Sequence, residues 1–373
     1  MQTVQFPPGD KTTFYQTLRS RVESYFKHNE VSKFGGRKMI SKSVFMLLLY
    51  FVPYGLILSG LFSSGWALLC LCLIMGTGLA GIGLSIMHDA NHGSYSKNRK
   101  SNKFIGYILN VIGGNSINWR IQHNVLHHSF TNIEGHDEDI DPVGLLRFSP
   151  HAKWRKIHRF QHLYAWIFYG LMSFTWIVNK DFVQLYRFKK KGLLEGFQTT
   201  FAKEFTILII TKVLYWSYMF VTPFLVLNQY HGIETTWWQV VLGIFSMHYV
   251  AGMILALVFQ PAHVMDECTF PVPNDKSEME DNWAIHQLKT TCNFAKNNLP
   301  LSWYVGGLNF QIEHHLFPDV SHIHYRNISS IVRETAKEFN LPYYQKRTFI
   351  GAIFAHFIFL KKLGNPNAKH RIA

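Results

Sequence analysis

Seven histidines fall in three short clusters whose spacing suits metal binding. The clusters are His88 with His92, His123 with His127 and His128, and His314 with His315. Residues four apart on an α-helix lie on one face, so each of the first two clusters directs a pair of imidazoles the same way. Imidazole binds zinc, copper, iron and nickel. Because a single metal takes about four ligands, this many histidines predict a site with two metal ions.

Three further residues are candidates for the same site. His263 follows the last long apolar run and would supply an eighth imidazole. Asp89 and Glu313 lie in the first and third clusters. We expect both to accept hydrogen bonds from ring N–H groups of the ligands, and direct binding of metal by either carboxylate stays open. The sequence has no thiolate cluster, which argues against a zinc ribbon or an iron–sulfur centre.

Four long apolar runs must position these histidines, since each is able to cross about 30 Å of hydrocarbon. They cover residues 44–63, 66–87, 205–227 and 237–260. The gaps within each pair are short, so the runs predict two helical hairpins. We therefore predict an all-α integral membrane protein. It would be one membrane domain over residues 1–373, with a helical cap at 88–204 and 261–373 that carries the di-metal site.

The distribution of positive charge predicts the orientation. Residues 1–43 contain eight Lys or Arg and residues 180–204 contain six, whereas the hairpin turns at 64–65 and 228–236 contain none. The positive-inside rule then places both termini, the middle loop and all three histidine clusters on the cytoplasmic side. Lys212, early in the third run, is expected to snorkel back to that side. Two shorter stretches, 163–178 and 349–360, predict helices that lie in the membrane interface.

The composition excludes several classes of protein. The chain has 373 residues and a formal net charge of +14, yet charged residues make up only 16% of it. Nucleic-acid binders combine a basic face with a polar chain, so we expect no nucleic-acid partner. Four cysteines do not form a disulfide framework. The first 43 residues lack the apolar region of a cleavable signal peptide.

The three clusters also carry a family resemblance. HDANH, HNVLHH and QIEHH, in this order around two hairpins, resemble the histidine boxes of membrane fatty-acid desaturases, over about residues 40–345. The Gln311 that opens the third box resembles the front-end subgroup, which acts between an existing double bond and the carboxyl end. The stretches HNVLHHSFTNIEGHDEDIDP and NWAIHQLKTTCNFA are similar to bacterial linoleoyl-CoA desaturases.

The resemblance implies two iron ions held by the box histidines, with O₂ as co-substrate. A cis double bond would be introduced into a fatty acyl substrate, either an acyl-CoA or an acyl-lipid. The sequence contains no His-Pro-Gly-Gly haem motif, so we expect a separate electron donor, a ferredoxin or a cytochrome b5-like protein. Lipids of the membrane are further partners, and the expected location is a bacterial inner membrane with the site on its cytoplasmic side.

Other functions on the same residues stay open. The scaffold would also suit a hydroxylase, or a desaturase of a sphingoid or other lipid, and a His-rich metal transporter or a zinc-dependent hydrolase is a more distant alternative. Four residues are candidates for supporting the ligands or contacting substrate: Gln311, His286, Asn118 and Trp119. Gln311 would bind metal through its carbonyl or form a hydrogen bond. His248, near the middle of the fourth apolar run, would form a hydrogen bond or lie near a tunnel that holds the acyl chain.

Overall fold

Helices dominate the computed structural model, which describes residues 4–8, 14–142 and 144–367. The predicted cap reaches residue 373, so its last six residues lie outside the described part. The first helices are α1 Phe14–His28, α2 Gly36–Leu58, α3 Gly65–Gly81, α4 Met87–His92, α5 Arg99–Gly106, α6 Ile108–Val111, α7 Ser116–Trp119, α8 His128–Phe130 and α9 Gln161–Thr175.

The remaining elements continue in chain order. They are α10 Asp181–Lys190, α11 Phe201–Trp216, α12 Thr222–Leu225, α13 Trp237–His263, α14 Trp283–Thr290, α15 Leu299–Tyr304, α16 Gln311–Leu316, α17 Tyr325–Glu338 and α18 Phe349–Leu363. Turns of π-helix occur at Ile82–Ile86, Arg120–His127, Trp176–Lys180, Ser217–Val221 and Val226–Tyr230. Turns of 3₁₀-helix occur at Glu138–Ile140, Lys156–Phe160, Glu195–Phe197 and His322–His324. Strand β1 Asn293–Phe294 pairs in parallel with β2 Gln345–Lys346.

Within the described ranges, four helices are long and apolar enough to cross a membrane. They are Gly36–Leu58, Gly65–His92, Phe201–Tyr230 and Trp237–His263. The four predicted runs are confirmed as helices, and each helix extends beyond its predicted run at one end or both, because polar residues next to an apolar run can continue the same helix. The first begins eight residues before the predicted start at 44 and ends before Gly60, whose φ of 69° suits glycine.

The chain divides into two compact units, each built from separate segments. Unit 1 comprises residues 1–36, 122–165 and 257–373, and unit 2 comprises residues 37–121 and 166–256. Unit 2 contains most of the four long helices. The single domain expected over 1–373 stays a prediction.

Close helix contacts in unit 2 depend on small residues. A Cβ on Gly252 of α13 would lie 2.6 Å from the Gly170 carbonyl oxygen of α9, and one on Gly78 would lie 2.8 Å from the backbone of α2. Backbones that approach this closely leave no room for a side chain, as is common where membrane helices pack. The stretch expected at 163–178 is therefore helical and packs against the last span; its position in the interface stays a prediction.

Two polar side chains in the spans of unit 2 are satisfied by buried partners. The expectation that Lys212 snorkels outward is wrong, because its ammonium is buried and donates to Asp181 Oδ2 at 2.6 Å and to the Gly113 carbonyl at 2.6 Å. His248 lies 2.6 Å from the Tyr215 hydroxyl and 3.1 Å from Ser173 Oγ. Of its two predicted roles, the structure therefore shows the hydrogen bond.

The core of unit 1 is formed by α1, α14, α16 and α17. Leu18 of α1, Leu288 of α14, Ile312 of α16 and Ile328 of α17 are fully buried in one apolar cluster. Helix α17 is amphipathic and turns its buried residues, among them Ile328 and Val332, toward this core. This core packs α16, which carries the third histidine cluster, against α14.

Candidate metal centre

The second histidine cluster lies on a π-helical turn, Arg120–His127, followed directly by α8. In an α-helix at 100° per residue, His128 would lie about 140° around the axis from His123. The wider π turn advances by roughly 85° per residue, which brings His128 to within about 80° of His123 and keeps His127 close to it. The local winding therefore turns all three imidazoles toward one side, where an α-helix would direct two.

Three imidazoles from separate elements of unit 1 surround one point. His127, His263 and His315 have ring nitrogens within 4.8 Å of one another, and all three residues are buried. Their ring centroids are 4.7 to 4.9 Å apart in each pair. Among the described residues, neither His127 Nε2 nor His263 Nε2 has a hydrogen-bond partner. Because a buried ring nitrogen is normally satisfied, these two atoms fit ligands of a metal.

A second group converges beside the first and shares His315 with it. The nitrogens of His128, His314 and His315 also lie within 4.8 Å of one another. His128 Nε2 is 3.0 Å from His314 Nε2 and 3.3 Å from His123 Nε2. Two nitrogens bound to one metal at about 2.1 Å stand roughly 3.0–3.4 Å apart. The separations between these Nε2 atoms therefore fit a shared ion.

The opposite ring nitrogens of four ligand candidates contact the protein. The contacts are His127 Nδ1 to Asp137 Oδ2 at 3.0 Å, His314 Nδ1 to the Tyr325 hydroxyl at 3.1 Å, His315 Nδ1 to Gln287 Oε1 at 2.7 Å, and His263 Nδ1 to the Thr290 carbonyl at 3.2 Å. Metal-binding histidines commonly present one nitrogen to the ion and donate the other to a protein oxygen. The donor set thus fits two metal ions that prefer imidazole nitrogen.

Asp137 controls the electrostatics at His127. Both side chains are buried, and the Asp137 carboxylate also accepts hydrogen bonds from the backbone N–H groups of Asn132 and Asp139, each at 2.9 Å. Burial lowers the pKa of His127, but the Asp137 charge and hydrogen bond outweigh it, so the pKa lies above its usual value. The carboxylate therefore strengthens the imidazole as a base and fixes its orientation.

The first histidine cluster belongs to unit 2. The rings of His88 and His92 lie one helical turn apart, with centroids 4.7 Å from each other, and Trp119 contacts both edge-on at 5.5 and 5.6 Å. Asp89 Oδ1 is 4.0 Å from His88 Nδ1, beyond hydrogen-bond distance. A π turn at Ile82–Ile86 precedes this cluster as well. Two imidazoles are thus presented on one face, as the spacing predicts.

Several sequence candidates have contacts that differ from the expected ones. Among the described residues, Glu313 accepts hydrogen bonds from Asn293 at 2.8 Å and from the Tyr343 hydroxyl at 2.6 Å, and from no imidazole. Burial raises the pKa of Glu313. Asn118 is buried and donates to the Asp181 carbonyl at 2.7 Å, which fixes backbone within unit 2. Its suggested contact with substrate stays a prediction.

The remaining two candidates lie in the interior of unit 1. His286 Nε2 is 2.8 Å from the Thr131 carbonyl, and burial lowers its pKa to about 4, so the ring is neutral. Gln311 is fully buried, and neither its amide nitrogen nor its carbonyl oxygen has a hydrogen-bond partner among the described residues. A buried amide in this state fits a ligand or a water molecule. Both of the roles expected for Gln311 stay predictions.

Three residues that support the ligands are not among the sequence candidates. They are Gln287, Thr290 and Tyr325, which are 28, 27 and 11 residues away in sequence from the histidines they contact. For Asp137 the sequence offers two interpretations, because the acidic stretch 136–139 suggests either a solvated turn or side chains that orient the histidines of the second cluster. The structure shows the contact of Asp137 with His127. The signal available for Gln287 was its place in the stretch NWAIHQLKTTCNFA, because its burial is known only from the structure.

Comparisons with known proteins identify the family of the chain. The family model described as fatty acid desaturase matches residues 64–347. An acyl-lipid (8-3)-desaturase of Physcomitrium patens is 39% identical, over 97% of this chain and 74% of its own length. The sn-1 linoleoyl-lipid 6-desaturases of Arthrospira platensis and Synechocystis are 34% and 32% identical, over 97% and 96% of this chain and 95% and 97% of their own lengths. The chain therefore belongs to the fatty acid desaturase family, whose members are oxidoreductases that introduce double bonds into fatty acyl chains.

Proposed function

We propose that this chain is a membrane-bound front-end desaturase. It introduces a cis double bond into a lipid-linked acyl chain, between an existing double bond and the carboxyl end. The names of the Physcomitrium, Arthrospira and Synechocystis relatives, an acyl-lipid (8-3)-desaturase and two linoleoyl-lipid 6-desaturases, support both the acyl-lipid substrate and this direction of action. Gln311 at the opening of the third cluster, as in the front-end subgroup, supports the same assignment.

The observation that carries the proposal is the convergence of imidazole nitrogens in unit 1. His315 belongs to two groups of three histidines, which supports two ions with a shared environment. We propose iron for both, held by His123, His127, His128, His263, His314 and His315, with His88 and His92 as further iron ligands. Imidazole ligands and an open position for O₂ suit iron. Iron bound here would supply the redox chemistry that activates O₂.

The residues of the chain hold and isolate the reaction. The Nδ1 atoms of four histidines contact Asp137, Gln287, Thr290 and Tyr325, which leaves their Nε2 atoms to hold the ions that would bind here. The four histidines held in this way are buried, which excludes bulk water from a strongly oxidising site. Phe259 packs against the rings of His123 and His127 with centroids 6.1 and 5.0 Å away, and an apolar wall of this kind suits an acyl chain.

The long helices place this chemistry in a membrane. We propose that the histidine clusters face the cytoplasm, because the positive charge concentrates in residues 1–43 and 180–204 and is missing from the hairpin turns. The two electrons come from a separate carrier, a ferredoxin or a cytochrome b5-like protein. Its docking would be favoured by an excess of cations on that side.

The test combines metal analysis with lipid analysis. The chain is expressed in cells that contain linoleoyl lipids, and iron per chain and new double bonds are measured with and without O₂. We expect two irons and an additional cis double bond on the carboxyl side of the existing ones. One zinc per chain without O₂-dependent lipid change would overturn the proposal, as would a hydroxylated product.

A matched pair of variants separates loss of the site from loss of the fold. His127→Ala removes a candidate ligand and should abolish desaturation while the protein stays in the membrane. His158→Gln alters an equally buried histidine that lies 3.1 Å from the Gly144 carbonyl, and should retain desaturation. Retained activity in His127→Ala would contradict the proposed ligand set.

A further inference from the structure

Helix α14 of unit 1 contacts the second histidine cluster through two side chains one turn apart. Trp283 Nε1 donates to the His128 carbonyl at 2.9 Å, and Gln287 Nε2 donates to the same oxygen at 3.1 Å. Residues at i and i+4 share a helix face, so α14 presents both donors together. The backbone of the second cluster is thereby attached to α14.

The direction of these hydrogen bonds determines how the Gln287 amide is oriented. A carbonyl oxygen accepts only, so the amide nitrogen of Gln287 must face the His128 carbonyl. Its own oxygen, Oε1, then faces His315 Nδ1 at 2.7 Å, with the Thr131 hydroxyl at 2.9 Å. Gln287 is fully buried, so water does not offer either group another partner.

This orientation selects one protonation state of His315. Because Gln287 Oε1 accepts, His315 Nδ1 must carry the hydrogen. A neutral imidazole has one N–H, so its Nε2 carries the lone pair that a metal requires. His315 is the histidine common to both groups of converging nitrogens, so its tautomer affects both metal positions.

We infer that Gln287 is a positioning residue of the metal centre. It holds His315 in the tautomer whose Nε2 binds metal, and it ties the second histidine cluster to the third through the His128 carbonyl. This inference rests on the proposed function, since it assumes that the histidines bind iron.

The test measures metal affinity separately from the stability of the fold. Apo-protein is titrated with Fe²⁺ without O₂ in competition with a chelator, and the absorption of bound Co²⁺ reports the ligand set. The melting temperature of the apo-protein is recorded for every variant. Gln287→Leu removes both hydrogen bonds, whereas Gln287→Glu keeps an acceptor for His315 and loses the donor to His128. Gln161→Leu is the control, because Gln161 is equally buried and bonds Arg147 N at 2.7 Å and the Leu360 carbonyl at 2.9 Å.

We expect Gln287→Leu to bind iron about 10–100-fold more weakly, with an altered Co²⁺ spectrum. Gln287→Glu should melt at a lower temperature, as Gln287→Leu does, but bind iron nearly as tightly as the parent. Gln161→Leu should lose stability and keep its affinity for iron. The inference is overturned if Gln287→Leu binds iron like the parent, or if Gln287→Glu or Gln161→Leu loses as much affinity as Gln287→Leu. If any of these outcomes occurs while the parent protein binds two irons and desaturates, the proposed function stands and only the role of Gln287 is refuted. A parent protein that binds no iron refutes both the role of Gln287 and the proposed function.

Discussion

Asp137→Asn tests the contribution of one buried carboxylate to the metal centre. In the parent, Asp137 Oδ2 accepts from His127 Nδ1 and from the Asn132 backbone N–H, and Oδ1 accepts from the Asp139 backbone N–H. All three partners are donors, so the amide nitrogen of asparagine has no acceptor to face. The least costly orientation turns that nitrogen toward Asp139 and leaves two N–H groups opposed in a buried place.

The magnitude follows from the bonds that change. Hydrogen bonds to a charged group contribute about 1.5–3 kcal/mol each. Asp137→Asn loses one such bond and removes the charge from two others, so the free energy of unfolding should fall by about 2–4 kcal/mol. Loss of a carboxylate behind a metal-binding histidine weakens metal binding by about 10–100-fold, which corresponds to about 1.4–2.7 kcal/mol.

The assay compares iron binding and apo-protein melting in Asp137→Asn and in a control. Asp266→Asn is suitable, because Asp266 pairs with Lys362 at the surface with both side chains nearly half exposed. We expect Asp266→Asn to match the parent in both measurements. If Asp137→Asn melts at a lower temperature but holds iron as tightly as the parent, the argument that the carboxylate orients His127 for metal is refuted.

Three further substitutions test the packing and the pH response. Lys212→Met leaves Asp181 buried without its ammonium and should destabilise the protein by about 3–5 kcal/mol; adding Asp181→Asn should recover part of this loss in thermal melts, and no recovery would argue against a buried pair. Gly252→Ala places a Cβ 2.6 Å from the Gly170 carbonyl oxygen and should cost about 1–3 kcal/mol, so a melting temperature equal to the parent's would contradict the close approach of α9 and α13. Burial lowers the pKa of His356 to about 4, so its contribution to stability is complete above its unfolded pKa of about 6.5 and is lost as the pH falls toward 4. His356→Asn should therefore remove roughly 1–3 kcal/mol of acid destabilisation between these pH values, and identical slopes of melting temperature against pH in parent and variant would refute this.

The spans and the histidine clusters were accessible from the sequence because both are local patterns. A run of apolar residues and a spacing of four residues are properties of one helix, and they need no knowledge of the neighbours. The same reasoning went wrong at Lys212, where the snorkelling rule assumes a side chain facing lipid. Its partner Asp181 is 31 residues earlier in the chain, and only the packing of the helices brings the two together.

The contacts that support the ligands could not be predicted from the sequence, for a related reason. The spacing of His123, His127 and His128 was read on an α-helix, but an added residue per turn in the π segment decides where His128 points. The partner of His315 is Gln287, and the two meet because α14 packs against α16. The sequence does not show which of the many polar residues this packing brings to His315. Glu313 contacts Asn293, 20 residues before it, and Tyr343, 30 residues after it. These contacts depend on the folding of both segments and could not be predicted from the third histidine cluster alone.

The interleaving of the two units has a consequence for biosynthesis. Unit 1 draws on residues 1–36, 122–165 and 257–373. The last long apolar helix ends at His263, so a ribosome completes every such helix before residues 264–373 emerge. His123, His127 and His128 are synthesised well before His314 and His315, and during that interval their nitrogens lack the neighbours that surround them in the folded chain. Iron loading is therefore expected after release from the ribosome, and truncated chains that lack residues 264–373 should insert into the membrane without acquiring metal.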